Sequence, residues 1–257
     1  MRTRLLAETR RRKVLDWLQE EGSARVRTLA DAFNVSEVTI RQDLEKLEAE
    51  GYITREHGGA FLKSVPQQVR EMALQHRDNM DAKQRIGRAA AQLVGDGETI
   101  VLDSGSTTTE VAANLLTRRD MTVITNALNI ALMLGAESGF EVHMTGGHFK
   151  APTLSLSGER SADYFKGLFV RKLFLATAAL DLEAGLTYPA LSDIAVKRAM
   201  IEAAERVYLV ADSSKIGVRS FSSLGGLDLV HVLITDDGIK PEDRAAIEAI
   251  GVQVIVA

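Results

Sequence analysis

Six consecutive residues, Asp103-Ser104-Gly105-Ser106-Thr107-Thr108, offer one carboxylate, four hydroxyls and a glycine between an apolar run and a helical pattern. Backbone N–H groups at a helix start lack intrahelical acceptors and lie at the positive end of the dipole, so such a turn takes an anion. Gly105 lets the backbone approach closely, and the hydroxyls add donors. No lysine stands in the turn and no GxxxxGK[ST] occurs there, which argues against a nucleoside triphosphatase; a GxGxxG dinucleotide pattern is missing too. The chemistry left is a grip on one small phosphate ester. The plainer alternative is a polar turn that only caps a helix.

Other apolar runs end in residues of the same kind. Asn126 follows MTVIT, Gly146 and Gly147 follow HMT, and Ser213-Ser214-Lys215 follows LVAD. In a parallel sheet the carboxyl ends of the strands share one edge, where ligands usually bind. That edge gathers small polar residues, Gly147 and Lys215, which supplies a second positive contact to the phosphate. His143 and His148 flank MTGG, but a metal needs three or four converging ligands, so no metal and no cofactor are expected. GSTTT is not the strained G-x-S-x-G turn of a hydrolase nucleophile.

A second group of residues has the chemistry of base reading. Ser36 begins a helical stretch in which Ile40, Leu44 and Leu47 lie on one face. Val38, Gln42, Glu45 and Lys46 then point away from the core, with Thr39 and Arg41 on the flanks. Arginine suits the acceptors of guanine and glutamine those of adenine, so Arg41 and Gln42 are the candidate readers. The Ser36 hydroxyl caps the helix or bonds a phosphate. Arg55 and His57 downstream, with Arg10 to Lys13 upstream, are candidates to neutralise phosphates.

These two groups need different scaffolds, and the pattern supplies them. Val14, Trp17 and Leu18 follow a helical period up to Gly22; Val26, Leu29, Ala30 and Phe33 form a second short helix closed by Asn34; the Ser36 helix ends at Gly51. YITRE then runs into His57, Gly58, Gly59 and Ala60, the makings of a β-hairpin. Three short helices and a hairpin predict a winged helix-turn-helix over residues 1–60. Residues 61–80, with Pro66 and no steady apolar face, read as a linker. Over 81–257 the texture alternates. ETIVLD, MTVIT, EVHMT, KLFLAT, RVYLVAD, HVLIT and VQVIVA are short β-rich runs, with helical stretches at 82–94, 107–117, 127–137, 191–204 and 241–250. That predicts an α/β domain with a mostly parallel sheet.

Charge and composition fit this division. The net charge is −4, yet residues 1–13 carry six basic and one acidic side chain, so the positive charge is concentrated where the helices begin. The 257 residues include no cysteine, which excludes disulfides and thiolate metal sites and fits a reducing cytoplasm. No apolar run has the length of a membrane span, and MRTRLLAETRRRK lacks the apolar core of a signal peptide, so a cytoplasmic protein without membrane contact is expected.

SEVTIRQDLEKLEAEGYITREHGGA closely resembles the helix-turn-helix signature of the DeoR family of bacterial sugar-pathway repressors: a hydroxyl residue, Thr-Ile-Arg-x-Asp-Leu, x-Leu-x-x-x-Gly, then Arg-x-His-Gly-Gly-Ala. VLDSGSTT, VITNALNIA, MTGGHFK, AVKRAMIEAAERVYLVADSSKIG and VLITDDGI resemble that family's sensor domain, whose fold is like that of ribose-5-phosphate isomerase. The wording of DSGSTTTE, TGGH and DSSK is nearest the branch that includes the N-acetylgalactosamine repressor. The resemblance implies a homo-oligomer, dimer or tetramer, that binds operator DNA and releases it when a sugar phosphate binds near Asp103 to Thr108, Asn126, Gly147 and Lys215. One stretch departs from the family. At KLFLATAALDLEAGLT, where the family has Gly-x-Asp-Gly-Ile-Asp or a close variant, Ala176 and Ala178 replace the glycine and the first aspartate, while Asp181 remains as a candidate effector contact. The alternative is a sugar-phosphate isomerase or deaminase with a DNA-binding appendage. It needs a positioned base near the substrate carbon, and Ala178 falls where a carboxylate would serve.

Overall fold

The computed structural model describes residues 7–21, 23–50, 52–56, 58–62, 78–150 and 153–257. They form two compact units, one ending at Asp78 and the other beginning at Asn79. His57, Gly22, Gly51 and most of the 61–80 segment lie outside the described residues.

The first unit is built as the sequence pattern predicts, with one addition. Helix α1 (Ala7–Glu21) buries Val14 and Leu18. Strand β1 (Ser23–Arg25) follows, then α2 (Val26–Phe33) and α3 (Glu37–Ala49). Asn34 closes α2 in the left-handed conformation (φ 51°, ψ 51°), which asparagine tolerates better than most residues. Ser36 caps α3: its Oγ accepts the Thr39 N–H at 3.1 Å. The hairpin consists of β2 (Ile53–Glu56) and β3 (Gly59–Leu62), paired antiparallel. β1 joins it on the far side of β3, giving the order β1-β3-β2. Three residues with no alternation carry no strand signal, and β1 exists because β3 offers it an edge. Ile40, Leu44 and Leu47 are buried as expected and pack with Leu18, Leu29 and Ile53.

The second unit is organised around a seven-stranded sheet. Its strands are β4 (Thr99–Leu102), β5 (Met121–Thr125), β6 (Phe140–Met144), β9 (Val170–Leu175), β12 (Ala204–Val210), β14 (Val232–Thr235) and β15 (Gln253–Val256). They lie in the order β15-β14-β12-β9-β4-β5-β6, and every pairing is parallel. Each coincides with one of the seven apolar runs. In the inner strands these runs are continuous because both faces are covered. Leu173 and Leu175 enter one core with Val207 and Leu209, while Phe174 enters the other with Tyr208 and Val210. The connecting helices are α4 (Met80–Gln92), α5 (Ser106–Ala113), α6 (Leu128–Gly135), α8 (Leu191–Glu202) and α9 (Pro241–Ala249).

Three small features carry no pattern in the sequence. They are the hairpin β7 (His148–Lys150) and β8 (Ser155–Ser157), the short helix α7 (Glu159–Asp163), and an antiparallel sheet of β10 (Ala179–Asp181), β11 (Gly185–Tyr188) and β13 (Ser222–Gly225). The main sheet's register sets Leu102 beside both Thr125 and Phe174. The turns that begin at Asp103, Asn126 and Ala176 therefore leave the same edge.

Candidate functional site

The outer face of α3 is polar and accessible. Val38 is 61% exposed, and Gln42, Glu45 and Lys46 are exposed beside it. Gln42 and Lys46 make no side-chain hydrogen bond or ion pair among the described residues, so both are available to a ligand. Arg41 meets Glu37 one turn back at 2.6 Å, an exposed pair of the kind worth under ~1 kcal/mol that a better acceptor displaces. Thr39 is half-buried, and its Oγ1 lies 2.9 Å from Ser36 Oγ, so these two hydroxyls serve each other and the cap.

Two basic residues act inside the unit instead of outside it. Arg10 is 6% exposed, with Nε 2.5 Å from Asp43 Oδ2 and Nη2 3.2 Å from Oδ1. Its place on the buried face of α1 removes it from the expected phosphate contacts, whereas Arg12 and Lys13 are exposed. Arg55 donates from Nε to Glu48 at 2.7 Å and from Nη1 to Glu45 at 3.2 Å, and its N–H also bonds Glu48. The Arg55 hydrogen bond holds the Glu48 carboxyl below its ordinary range, and Glu48 in turn raises Arg55. Arg55 thus ties the wing to α3 and is left with less of its charge for DNA than the sequence predicts.

At the sheet edge of the second unit, the hydroxyl-rich turn divides into a charged floor and an open rim. Asp103 is fully buried. Its Oδ2 accepts the Ala176 N–H at 3.0 Å and a short bond from Lys197 Nζ, while Oδ1 has no hydrogen-bond partner. Lys197 is buried and also lies 4.8 Å from the Tyr188 ring centroid. Tyr188 bonds the Ala176 carbonyl at 2.8 Å, and burial, with Asp103 nearby, raises its hydroxyl well above the usual value. Asp103 therefore cannot be a phosphate contact: two anions would meet in a buried place.

The rim is Ser104, Gly105 and Ser106, each partly exposed. No side chain caps α5, and its first backbone bond runs from Thr109 N–H to Gly105 at 3.0 Å. The amides of Ser106, Thr107 and Thr108 precede that bond and point out of the helix start. Gly105 is extended and unstrained; what requires glycine is Ala176, whose Cβ would lie 2.6 Å from an added Cβ. Thr108 and Thr109 turn their hydroxyls back to the Gly105 carbonyl at 2.9 and 2.8 Å, so the Thr108 side chain is not the outward donor that was expected.

Asn126 is brought to this rim. Its Nδ2 donates to the Leu156 carbonyl at 3.0 Å and to Ser104 Oγ at 3.4 Å, and its buried Oδ1 is unpartnered. Gly147 has φ +114°, and an added Cβ would meet the Ser157 carbonyl at 2.7 Å, so glycine there lets the β7–β8 hairpin close over the edge. Lys215 sits in a short 3-10 turn, Ser213–Lys215, anchored by Asp212 and Asp236, and forms no ion pair among the described residues. The next residue, Ile216, bridges to Leu180.

Asp181 departs from the expected role. Its Oδ1 accepts the N–H groups of Glu183 and Ala184 and lies 2.9 Å from Arg219, so the carboxylate closes the β10–β11 turn. The Arg219 hydrogen bond comes first among the causes that lower its pKa to about 2. Lys197 and Tyr188 are the site residues that pattern reading missed. Lys197 left a signal: it shares the buried face of α8 with Val196 and Met200, where an unpaired lysine would be costly. Tyr188 left none. No group of three or more His, Cys, Asp or Glu able to hold a metal ion occurs among the described residues, and no helix there is long and apolar enough to cross a membrane.

An exposed helix face in a helix-turn-helix unit, and an uncapped helix start over buried acceptors in a parallel α/β unit, are features of a ligand-responsive DNA-binding regulator. Residues 10–65 match the DeoR-like helix-turn-helix domain, and residues 78–237 match the DeoR C terminal sensor domain. The chain belongs to the DeoR family of transcriptional regulators.

It is 33% identical over 251 residues to the HTH-type transcriptional regulator GlpR of Haloferax volcanii, covering 98% of each chain. It is 32% identical to a candidate aga operon transcriptional repressor of Escherichia coli O157:H7 (96% of this chain, 93% of that one). The HTH-type transcriptional repressor GlcR of Bacillus subtilis is 34% identical over 87% of this chain and 86% of its own. These relatives are regulators, which sets aside the enzyme alternative. Among solved structures, ribose 5-phosphate isomerase A of Methanocaldococcus jannaschii aligns at TM-score 0.40 and 16% identity over 54% of this chain and 55% of that one.

Proposed function

We propose that this regulator is a cytoplasmic, homo-oligomeric repressor of a carbohydrate-catabolism operon, and that a sugar phosphate releases it from its operator. Residues 1–60 bind DNA, 61–80 link, and 81–257 sense the effector. Arg41 and Gln42 read bases, with Val38 against a thymine methyl, while Lys46, Arg12, Lys13 and His57 meet phosphates. In the sensor the phosphate lies on the amides of Ser106, Thr107 and Thr108, with Lys215 as a second positive contact. Asp103 Oδ1 and Asn126 Oδ1 lie buried beneath the rim, so the sugar's hydroxyls donate to them only as ligand binding displaces that rim.

One observation carries the effector assignment. An uncapped helix start that wants an anion stands beside two buried acceptors, Asp103 Oδ1 and Asn126 Oδ1, that want donors. A ligand with a phosphate at one end and hydroxyls at the other satisfies both. Release requires the ligand to prefer a state that cannot span the operator; tight binding alone shifts nothing.

The test is a gel shift on the gene's own upstream DNA with a panel of sugar phosphates, read beside thermal stabilisation. Ser106→Glu places a carboxylate at the helix start and is expected to abolish both stabilisation and release while DNA binding persists. Arg41→Ala is expected to do the reverse. Turnover of a phosphosugar without any operator binding would defeat the reading.

A further inference from the structure

Asn79 opens the second unit, one residue after the first unit ends at Asp78. It stands at the N-cap of α4 yet makes no side-chain cap bond, although asparagine is among the best residues for one. Its side chain is engaged elsewhere. Nδ2 donates to Asp212 Oδ1 at 2.9 Å and to Ser214 Oγ at 3.1 Å, 133 and 135 residues along the chain. Its backbone is left-handed (φ 56°, ψ 35°), not extended as in an ordinary N-cap. Asparagine tolerates that region better than most residues, but still at a cost, and the two bonds offset it.

Both partners belong to the turn that carries Lys215. Asp212 is buried, and its Oδ1 accepts the Ser214 N–H at 3.2 Å and a short bond from the Ser214 hydroxyl. With Asn79, three donors crowd one carboxylate oxygen that has about two lone pairs. Asp212 Oδ2, also buried, has no hydrogen-bond partner among the described residues. Of the three donors Asn79 belongs to an exposed residue, so water replaces its bonds at little cost. Ser214 and Lys215 are neighbours in one 3-10 turn hung from Asp212 and Asp236, so a pull on Lys215 is felt at Ser214.

We propose that Asn79 is a two-position switch that couples the phosphate site to the linker. In one position its side chain holds the Lys215 turn and its backbone is left-handed. In the other the side chain caps α4, accepting the N–H of Asp81 or Ala82, and the backbone is extended. Passing between them turns φ through more than about 100° and redirects every residue that precedes Asn79. A phosphate that draws Lys215 toward itself pulls Ser214 off Asn79 and so favours the capped position. The operator favours the left-handed one. The effector acts only through this difference, since equal binding to both positions shifts nothing. The switch rests on the reading of Lys215 as a phosphate contact and adds how that contact reaches the DNA-binding unit.

The test uses the full-length chain, its own upstream DNA, and the member of a panel of hexose and pentose phosphates that most raises the wild-type melting temperature. In the wild type that compound is expected to raise the operator Kd about tenfold or more. Asn79→Gly removes both side-chain bonds and the capping group while accepting the left-handed backbone without strain. The compound is expected still to raise the melting temperature of this variant but to change its operator Kd less than about twofold. Asn79→Asp keeps a capping oxygen and sets a second carboxylate against Asp212, which favours the capped position. Its operator Kd is expected to rise about tenfold with no sugar phosphate added, and the compound to bind it tighter by a similar factor. Loss of a merely structural contact would move both variants alike. Asn79→Gly released as the wild type is, or Asn79→Asp behaving as Asn79→Gly does, overturns the switch and leaves the effector reading standing. A wild-type melting temperature that no member of the panel moves overturns the effector reading, and the switch with it.

Discussion

Asp103 illustrates how a buried charge is kept in place. Its carboxylate is sealed from solvent and held by Lys197, itself buried, with the Ala176 N–H as a further donor. Removing one member of such a pair strands the other, which costs about 3–5 kcal/mol, whereas removing both costs far less. Lys197→Met is therefore expected to lower sensor stability by about that amount in urea denaturation, and Asp103→Asn added to it recovers most of the loss. Additive losses would mean that the two residues are not coupled. Asp181 makes a contrasting case at the surface. Its pKa is depressed from 3.8 to about 2, so its contribution is fully present above 3.8 and is lost as pH falls through about 2. A carboxyl NMR titration is expected to show the low midpoint, and Arg219→Gln is expected to return it toward 3.8. An unmoved midpoint would assign the shift to the turn amides of Ala184 and Glu183.

At the level of elements, the buried Arg10–Asp43 pair joins α1 to α3, 33 residues apart in the chain. Asp43 stands between Gln42 and Leu44, so it fixes the roll of α3 and hence which side chains face outward. Asp43→Ala is expected to destabilise the first unit by about 3–5 kcal/mol and to weaken operator binding through the loss of fold. Ser36→Ala, which removes only the cap, is expected to cost about 1 kcal/mol. Equal losses in thermal melts would show that Asp43 does no more than a cap. Arg10 also shows where the sequence misleads: RRRK reads as one basic run, but a helical period turns Arg10 inward with Val14 while Arg12 and Lys13 face out. The five inner strands of the sheet were legible because each contains an apolar run buried on both faces, and the edge strands β6 and β15 because each keeps a short apolar stretch between helical patterns. The strands β1, β7, β8, β10, β11 and β13 were not, since each is three or four residues long and is held by its neighbours' edges, not by its own pattern. That the turn from Ser104 to Thr107 leaves a strand end and opens a helix was legible. Its floor was not, because Lys197 lies 94 residues from Asp103 and only the fold brings them together.

For the molecule as a whole, a net charge of −4 must be reconciled with DNA binding, and distribution resolves it. What binds phosphate is the local set of free cations, and counterion release counts those contacts. Lys46 is exposed and forms no ion pair among the described residues, so it belongs to that set, whereas the buried Arg10 does not. Each phosphate contact contributes about 0.9 to the slope of log affinity against log salt. A dimer on one operator carries Lys46 twice. Lys46→Ala is therefore expected to flatten the slope by about 1.8 if two copies bind, and by about 0.9 if one does. Affinity at fixed salt falls for all sequences alike, because a phosphate contact carries no base preference. Arg41→Ala is expected instead to narrow the gap between operator and random DNA. Fluorescence anisotropy over a salt series measures both variants on the same duplexes. An unchanged slope in Lys46→Ala would take that residue off the DNA, and a loss near 0.9 would place a single reading helix on the operator.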